Sequence, residues 1–148
     1  MGLFNSFNIS ASALTAQRLR MDTIAQNIAN VNTTRTTEGT PYRRKTVTFQ
    51  EKEADIPFSQ YLSEQSRGRY LAGGGVRVTG IVEDPTPFKE VYEPGHPDAD
   101  ENGIVRMPNV EVVTEMVNMI SATRAYEANV TALNASKSMA VKALEIGR

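Results

Sequence analysis

Cysteine and tryptophan are absent from the 148 residues, and histidine occurs once. Without cysteine there is no disulfide framework, no thiolate metal site and no thiol nucleophile. A single imidazole excludes any site that needs two. An excess of one charge is missing too: 16 Lys and Arg stand against 17 Asp and Glu, with a pI near 5.9. Proteins that bind nucleic acid or insert at anionic membranes carry a basic surplus, so this balance argues against both. No apolar run approaches the ~18–20 residues a membrane helix needs. Nor does a basic stretch followed by an apolar one open the chain, as in a secretory signal. Any export is therefore expected to leave the N-terminus uncut.

Proline and glycine are missing from long stretches at both ends. All seven prolines lie between Pro41 and Pro108, and eight of ten glycines lie between Gly39 and Gly103, the exceptions being Gly2 and Gly147. Seven of ten aromatic residues fall between Tyr42 and Tyr92. Breakers placed this way divide the chain into an arm at 1–33, a turn-rich middle at 34–108 and a second arm at 109–148. The fold class expected is α+β: two long helices, paired as a coiled coil into one helical core domain, with a small, partly extended β-rich middle module.

The arms carry heptad spacing. In the first, apolar residues recur at Leu3, Phe7, Leu14, Met21, Ile24, Ile28 and Val31, with Ser10 and Gln17 as polar members of the same seam. In the second, the seam runs Val112, Met116, Met119, Thr123, Tyr126, Val130, Leu133, Lys137, Ala140 and Leu144, widened at its start by Val113, Val117 and Ile120. Asn109, following Pro108, is the expected N-cap and Gly147 the expected stop. A helix over this arm would extend ~50–55 Å at 1.5 Å per residue.

Away from the seams the arms are poor in charge. Residues 1–33 carry three charged side chains and residues 109–148 carry eight, while the middle carries 22 of the 33. Solvated helix faces normally hold Lys and Glu in i,i+4 pairs. Ala, Ser, Thr, Asn and Gln in their place suit close approach by other helices, so the arms are expected to be buried on several sides in an assembly. In the middle, alternation predicts strands at Arg43–Phe49, Val76–Val82, Phe88–Tyr92 and Gly103–Met107, and Pro57 opens a short helix expected at Ile56–Gln65.

Asp98-Ala99-Asp100-Glu101-Asn102-Gly103 matches the first half of a calcium loop, with oxygen ligands at alternate positions and glycine sixth. The second half fails, because Asn109 stands where a bidentate Glu belongs. A hairpin turn rich in Asp, Asn and Gly explains the same letters. His96 with Asp98 and Asp100 is too short a run for a tetrahedral cage and reads as a turn histidine. Arg43-Arg44-Lys45 reads as a solvated strand edge, and Gly73–Gly80 lacks nucleotide-loop spacing. No nucleophile stands with a base, no cofactor motif is present, and nothing reads as an enzyme.

Ser12–Thr33 (SALTAQRLRMDTIAQNIANVNT), with Asn27, Ala29, Asn30 and Asn32 forming an NxANxN core, resembles the N-terminal motif of the bacterial flagellar rod, hook and hook-associated axial proteins. Asn109–Asn129 (NVEVVTEMVNMISATRAYEAN) resembles the C-terminal motif of the same family, and Val91–Val110 is similar to the segment that marks its proximal-rod member. The resemblance implies a non-enzymatic structural subunit of the basal-body rod in the periplasmic space. Its terminal helices would pack helically with neighbours around an export channel and carry torque. The partners implied are further copies of itself, the rod proteins FlgB, FlgF and FlgG, and FliE, with delivery by the flagellar type III export apparatus.

Seam and motif together predict an assembly interface of Leu14, Met21, Ile24, Asn27, Ile28, Asn30, Val31, Met116, Met119, Ile120, Arg124, Tyr126, Asn129 and Leu133. In it, Leu14, Met21, Ile24 and Ile28 face Met116, Met119, Ile120 and Leu133, while Ala25, Ala29, Ala125, Ala128 and Ala132 let other helices come close. Asn27, Asn30, Asn129 and Asn134 are expected to bond neighbours or cap helix ends, where Lys or Glu would cost desolvation. Two other readings stay open: a soluble coiled-coil adaptor, and a calcium-dependent module using Asp98–Gly103.

Overall fold

The computed structural model describes residues 3–52 and 74–146. Helix α1 (Leu3–Ala29) is followed by strands β1 (Lys45–Glu51), β2 (Val76–Glu83), β3 (Lys89–Tyr92) and β4 (Ile104–Met107), and then by helix α2 (Val112–Ile146). Strands β1 and β2 form one two-stranded sheet and β3 and β4 another, so the architecture is α+β as expected. All four expected strands occur within two residues of their anticipated spans. The short helix anticipated at Ile56–Gln65, and Gly73, lie outside the described residues. Among the described residues, no helix is long and apolar enough to cross a membrane.

Both helix boundaries differ from expectation at one end. Helix α1 stops at Ala29 because the next turns tighten to i→i−3 bonding, with Val31 N–H donating to Ile28 C=O at 3.3 Å and Thr33 N–H to Asn30 C=O at 3.1 Å. Helix α2 opens at Glu111, whose carbonyl accepts the Glu115 N–H at 3.0 Å. Asn109 is therefore not its cap; the asparagine side chain is used elsewhere, as described below. The 35 residues of α2 span about 52 Å at the ordinary helical rise.

The chain divides into two compact units, each drawing on both helices and on the middle. Unit 1 comprises Met1–Arg18, Phe49–Thr79 and Thr123–Arg148. Within it, the hydroxyls of Ser6 on α1 and Ser136 on α2 share a hydrogen bond of 3.2 Å. Ser12 ties the start of β2 to α1: its Oγ donates to Ile9 C=O at 2.7 Å and accepts from Val76 N–H at 3.1 Å. The preceding residue must be glycine for two independent reasons. Gly75 has φ +101°, a backbone state that side chains disfavour, and a Cβ there would run into Ser12 Oγ. Gly75 also closes the β1–β2 ladder, accepting the Lys52 N–H at 2.9 Å.

Unit 2 comprises Leu19–Thr48 and Gly80–Ala122. Its part of the β1–β2 sheet is antiparallel, since Arg44, Thr46 and Thr48 meet Asp84, Val82 and Gly80 in descending order. Strands β3 and β4 pair antiparallel in the register Lys89↔Met107, Glu90↔Arg106, Val91↔Val105 and Tyr92↔Ile104. Gly103, at φ +74°, turns the chain into β4, with its N–H on Asp100 C=O at 2.7 Å.

Among the described residues, the fully buried aliphatic side chains are Ala16, Ile24, Val105 and Ala122, beside which Ser10, Thr23, Asn27, Glu115 and Ser136 are equally buried. Val112, Val113, Met116, Val117, Ile120, Met139, Val141, Leu144 and Ile146 of α2 are all exposed. A contiguous exposed apolar patch marks an interaction site.

Candidate functional site

Unit 2 is held together by a buried polar clamp built on Asn27. An amide side chain has two N–H donors and two acceptor lone pairs. Asn27 uses all four: its Nδ2 donates to Lys45 C=O at 2.8 Å and to Glu115 Oε2 at 2.9 Å, and its Oδ1 accepts from Lys45 N–H at 2.9 Å and Tyr42 Oη at 3.0 Å. Toward Lys45 it acts as a neighbouring strand would, satisfying both backbone groups of β1's first residue.

Glu115, only 1% exposed, lies at the centre of the clamp. Its Oε1 accepts from both Arg44 Nε at 2.9 Å and Nη2 at 2.7 Å, two charge-assisted bonds to one oxygen. The third Arg44 nitrogen, Nη1, reaches Asp84 Oδ2 at 3.0 Å. Asn109 completes the cluster by accepting Arg44 N–H at 2.8 Å while its Nδ2 meets Asp84 C=O, Thr86 C=O and Thr86 Oγ1 at 3.2, 3.2 and 2.8 Å. Arg43 Nη1 binds the same two carbonyls at 3.0 and 3.3 Å, with its guanidinium 4.5 Å over the Phe88 ring. The Asp84–Pro87 turn is thus bolted to β1 and to the entry of α2.

Charge within the clamp is balanced by contact. Burial, then the nearby Glu83 and Glu115 carboxylates, raises the Tyr42 pKa above its ordinary value. Burial works against the Arg44 cation, but its hydrogen bonds to the Glu115 and Asp84 carboxylates and their charges outweigh it and raise its pKa. The Thr86 N–H and hydroxyl, followed by Arg44, hold Asp84 below its usual 3.8. A carboxyl whose folded pKa lies below its unfolded one adds stability that is complete above the unfolded value and is lost as pH falls through the folded value. Unit 2 is therefore expected to weaken as the pH drops below about 3.8. Asp84→Asn should flatten that part of the profile in denaturation midpoints measured across the acid range.

Opposite the clamp, α2 carries a stripe formed by Val113, Met116, Val117 and Ile120, each between 54% and 69% exposed. Positions i, i+3, i+4 and i+7 share one helix face, so these four side chains form one apolar surface. The inward seam of α2 also follows four–three spacing, but not the one expected. Glu115 and Ser136 are buried where Met116 and Lys137 were expected and are exposed, Ala122 is buried beside half-buried Thr123, Asn129 and Val130 are both half-buried, and Met119, Tyr126, Leu133 and Ala140 keep their places as half-buried members. Glu115 rather than Met116 takes the inner position, where Arg44 and Asn27 bond its carboxylate, and Asn118 Nδ2 adds a longer contact of 3.4 Å.

The remaining anticipated interface residues spread over both kinds of surface. On α1, Ile24 is buried and Leu14, Met21 and Ile28 are half-buried, as are Asn30 and Val31 beyond its end; Arg124 on α2 is exposed. Three anticipated neighbour-bonding asparagines are engaged inside the chain. Asn27 is saturated, Asn30 Nδ2 donates to Gln26 C=O at 2.9 Å, and Asn129 Nδ2 donates to Ala125 C=O at 2.8 Å. Of the small residues, Ala25, Ala29, Ala128 and Ala132 face outward. The calcium reading gains no support: Asp98 Oδ2 accepts the Thr34 hydroxyl at 2.7 Å, its Oδ1 lies 3.9 Å from Arg35, and Asp98 N–H donates to His96 Nδ1 at 3.1 Å. Among the described residues no three acidic or histidine side chains converge as metal ligands. Sequence reasoning missed Tyr42, Arg44, Asp84, Asn109 and Glu115 as site residues. Arg44 directly beside Arg43, and Asn109 directly after Pro108, were the local signals in the sequence.

Two family models match the chain: one for flagella basal body rod proteins over residues 7–35, and one for the C-terminal part of flagellar basal body rod FlgEFG proteins over residues 101–146. These segments contain Asn27, Asn109, Glu115 and the exposed stripe. Along its whole length the chain is 52% identical to the flagellar basal-body rod protein FlgC of Bacillus subtilis, covering 100% of both sequences. It is 50% identical to the FlgC of Borreliella burgdorferi, over 99% of this chain and 98% of that protein, and 46% identical to the FlgC of Salmonella typhimurium over 100% of both. With both helical motifs matched by rod-protein models and full-length identity at this level, the chain belongs to the FlgC family of flagellar basal-body rod proteins.

Proposed function

We propose that the chain is a mechanical subunit of the proximal rod, packing helically with other rod subunits around the export channel and passing torque along the shaft. The observation that carries this reading is the inverted distribution on α2, where polar Glu115 and Ser136 are buried and Val113, Met116, Val117 and Ile120 are exposed. Such a helix gains its hydrophobic stabilisation when neighbours cover the outward face. Within each unit α1 meets α2 through one side-chain bond, Ser6–Ser136 in unit 1 and Asn27–Glu115 in unit 2, which fits paired helical arms.

The neighbours in this reading are further copies of the chain, FlgB, FlgF, FlgG and FliE, and the type III export apparatus delivers the subunit. The role is structural rather than enzymatic: the most deeply buried carboxylate is spent on Arg44 and Asn27, where it fixes elements and faces no substrate. No cofactor, nucleic acid or membrane insertion enters the mechanism.

Long helices with little burial of their own fray when isolated. The free subunit is therefore expected to lose the ends of α1 and α2 to limited proteolysis, while the clamped 19–29 and 112–122 segments survive. In purified basal bodies both helices should resist cleavage throughout. Equal resistance in the two states would contradict the assembly role.

A further inference from the structure

In unit 2, α2 offers two rival faces for burial. One carries Glu115 and Ala122, and the other carries Val113, Met116, Val117 and Ile120. On apolar content alone the second should turn inward, because burying large aliphatic side chains is favourable. The fold does the opposite: Glu115 and Ala122 are buried and the four apolar residues are exposed. Adjacent residues on a helix differ by about 100° around its axis, so a one-residue turn would carry Met116 toward the place Glu115 now holds.

The difference between the two rotations lies in polar satisfaction. In the observed one, Glu115 takes both arms of the Arg44 fork and one N–H of Asn27. Turned away, it would leave one Asn27 donor unpaired and Arg44 with Asp84 as its remaining carboxylate partner. A buried donor left without a partner and a broken buried charge pair are both costly, and the observed rotation avoids both. We infer that Glu115 is a face-selecting residue, which holds α2 in the rotation that keeps the Val113–Ile120 stripe outward. Buried polar groups in helical seams are known to fix register in this way at some expense of stability. The inference concerns the isolated chain and holds or fails independently of rod assembly.

Because the chain contains no cysteine, Met116→Cys introduces its sole thiol. The alkylation rate of that thiol is to be compared in the full-length M116C chain and in the same chain carrying E115Q, E115A or E115A with R44M, with helicity followed by circular dichroism. Glutamine keeps an acceptor for Arg44 and Asn27, so M116C and M116C/E115Q should label within about twofold of one another. Alanine removes the polar anchor and adds no large apolar side chain to the inner face, so with Ala at 115, alone or with R44M, labelling should slow about tenfold or more at retained helicity, as for a group that reacts only on local opening. A residue that merely stabilised the fold would move the rate the other way. Unchanged or faster labelling in both alanine chains overturns the inference. So does loss of helicity in both, which would make the clamp a requirement for folding rather than a choice between faces.

Discussion

Replacing Asn27 by Asp is expected to cost unit 2 about 4–5 kcal/mol, more than Asn27→Ala at about 3, since the aspartate adds a buried charge to the lost hydrogen bonds. The two side chains have nearly the same shape, which isolates the chemistry. Aspartate at 27 offers no N–H, so Lys45 C=O and Glu115 Oε2 both lose their donor. It also sets a second carboxylate where the amide nitrogen stood, 2.9 Å from that of Glu115. Domains of ordinary stability have about 5–15 kcal/mol in total, so the change would take up much of what unit 2 has. Urea denaturation followed by circular dichroism measures it directly. Adding Glu115→Gln should restore part of the loss, because the glutamine amide then donates to the new carboxylate. The resulting non-additivity would identify Asn27 and Glu115 as direct partners.

Ile120→Glu is expected to have the opposite profile, leaving the fold nearly untouched and abolishing assembly. Ile120 is 54% exposed, and surface substitutions of this kind usually stay within about 0.5 kcal/mol. In the rod, every copy would place an unpaired carboxylate in a covered interface, at about 3 kcal/mol or more for each contact. That penalty corresponds to roughly a hundredfold weaker incorporation or worse. Cells carrying I120E in place of the native chain should make a soluble, folded subunit, lack rods and not swim. Ile28→Asp is a poorer test, because Ile28 is half-buried beside the clamp and its loss would mix folding with assembly.

Most of the fold was legible in the sequence because breakers and alternation are local signals. Proline and glycine confined to the middle define two uninterrupted helices, and period-two runs locate the strands. The seam of α2 was half legible. Heptad spacing locates Met119, Tyr126 and Leu133, but hydrophobicity assigns the next position to Met116 rather than to Glu115. The deciding contacts come from Arg44 and Asn27, 71 and 88 residues away in the chain, and no local pattern reports them. Asn109 was misread for the same reason. After Pro108 it has the chemistry of an N-cap, yet its amide is drawn to Arg44, Asp84 and Thr86. In the resemblance to axial proteins, Asn27 stood out as a motif residue, and its saturation inside the chain gives a physical reason for an asparagine there. Only an amide both donates twice and accepts twice at that size.

The central claim is that the outward stripe of α2 is reserved for neighbours in the rod. Thiol labelling of Val117→Cys, in the free subunit and in purified basal bodies built from the same protein, tests it most directly. Val117 is 60% exposed and lies at the middle of the stripe. The expected result is rapid labelling of the free subunit and near-complete protection in the assembled rod. Equal labelling in both states would mean that the stripe stays solvated after assembly, and would contradict the account.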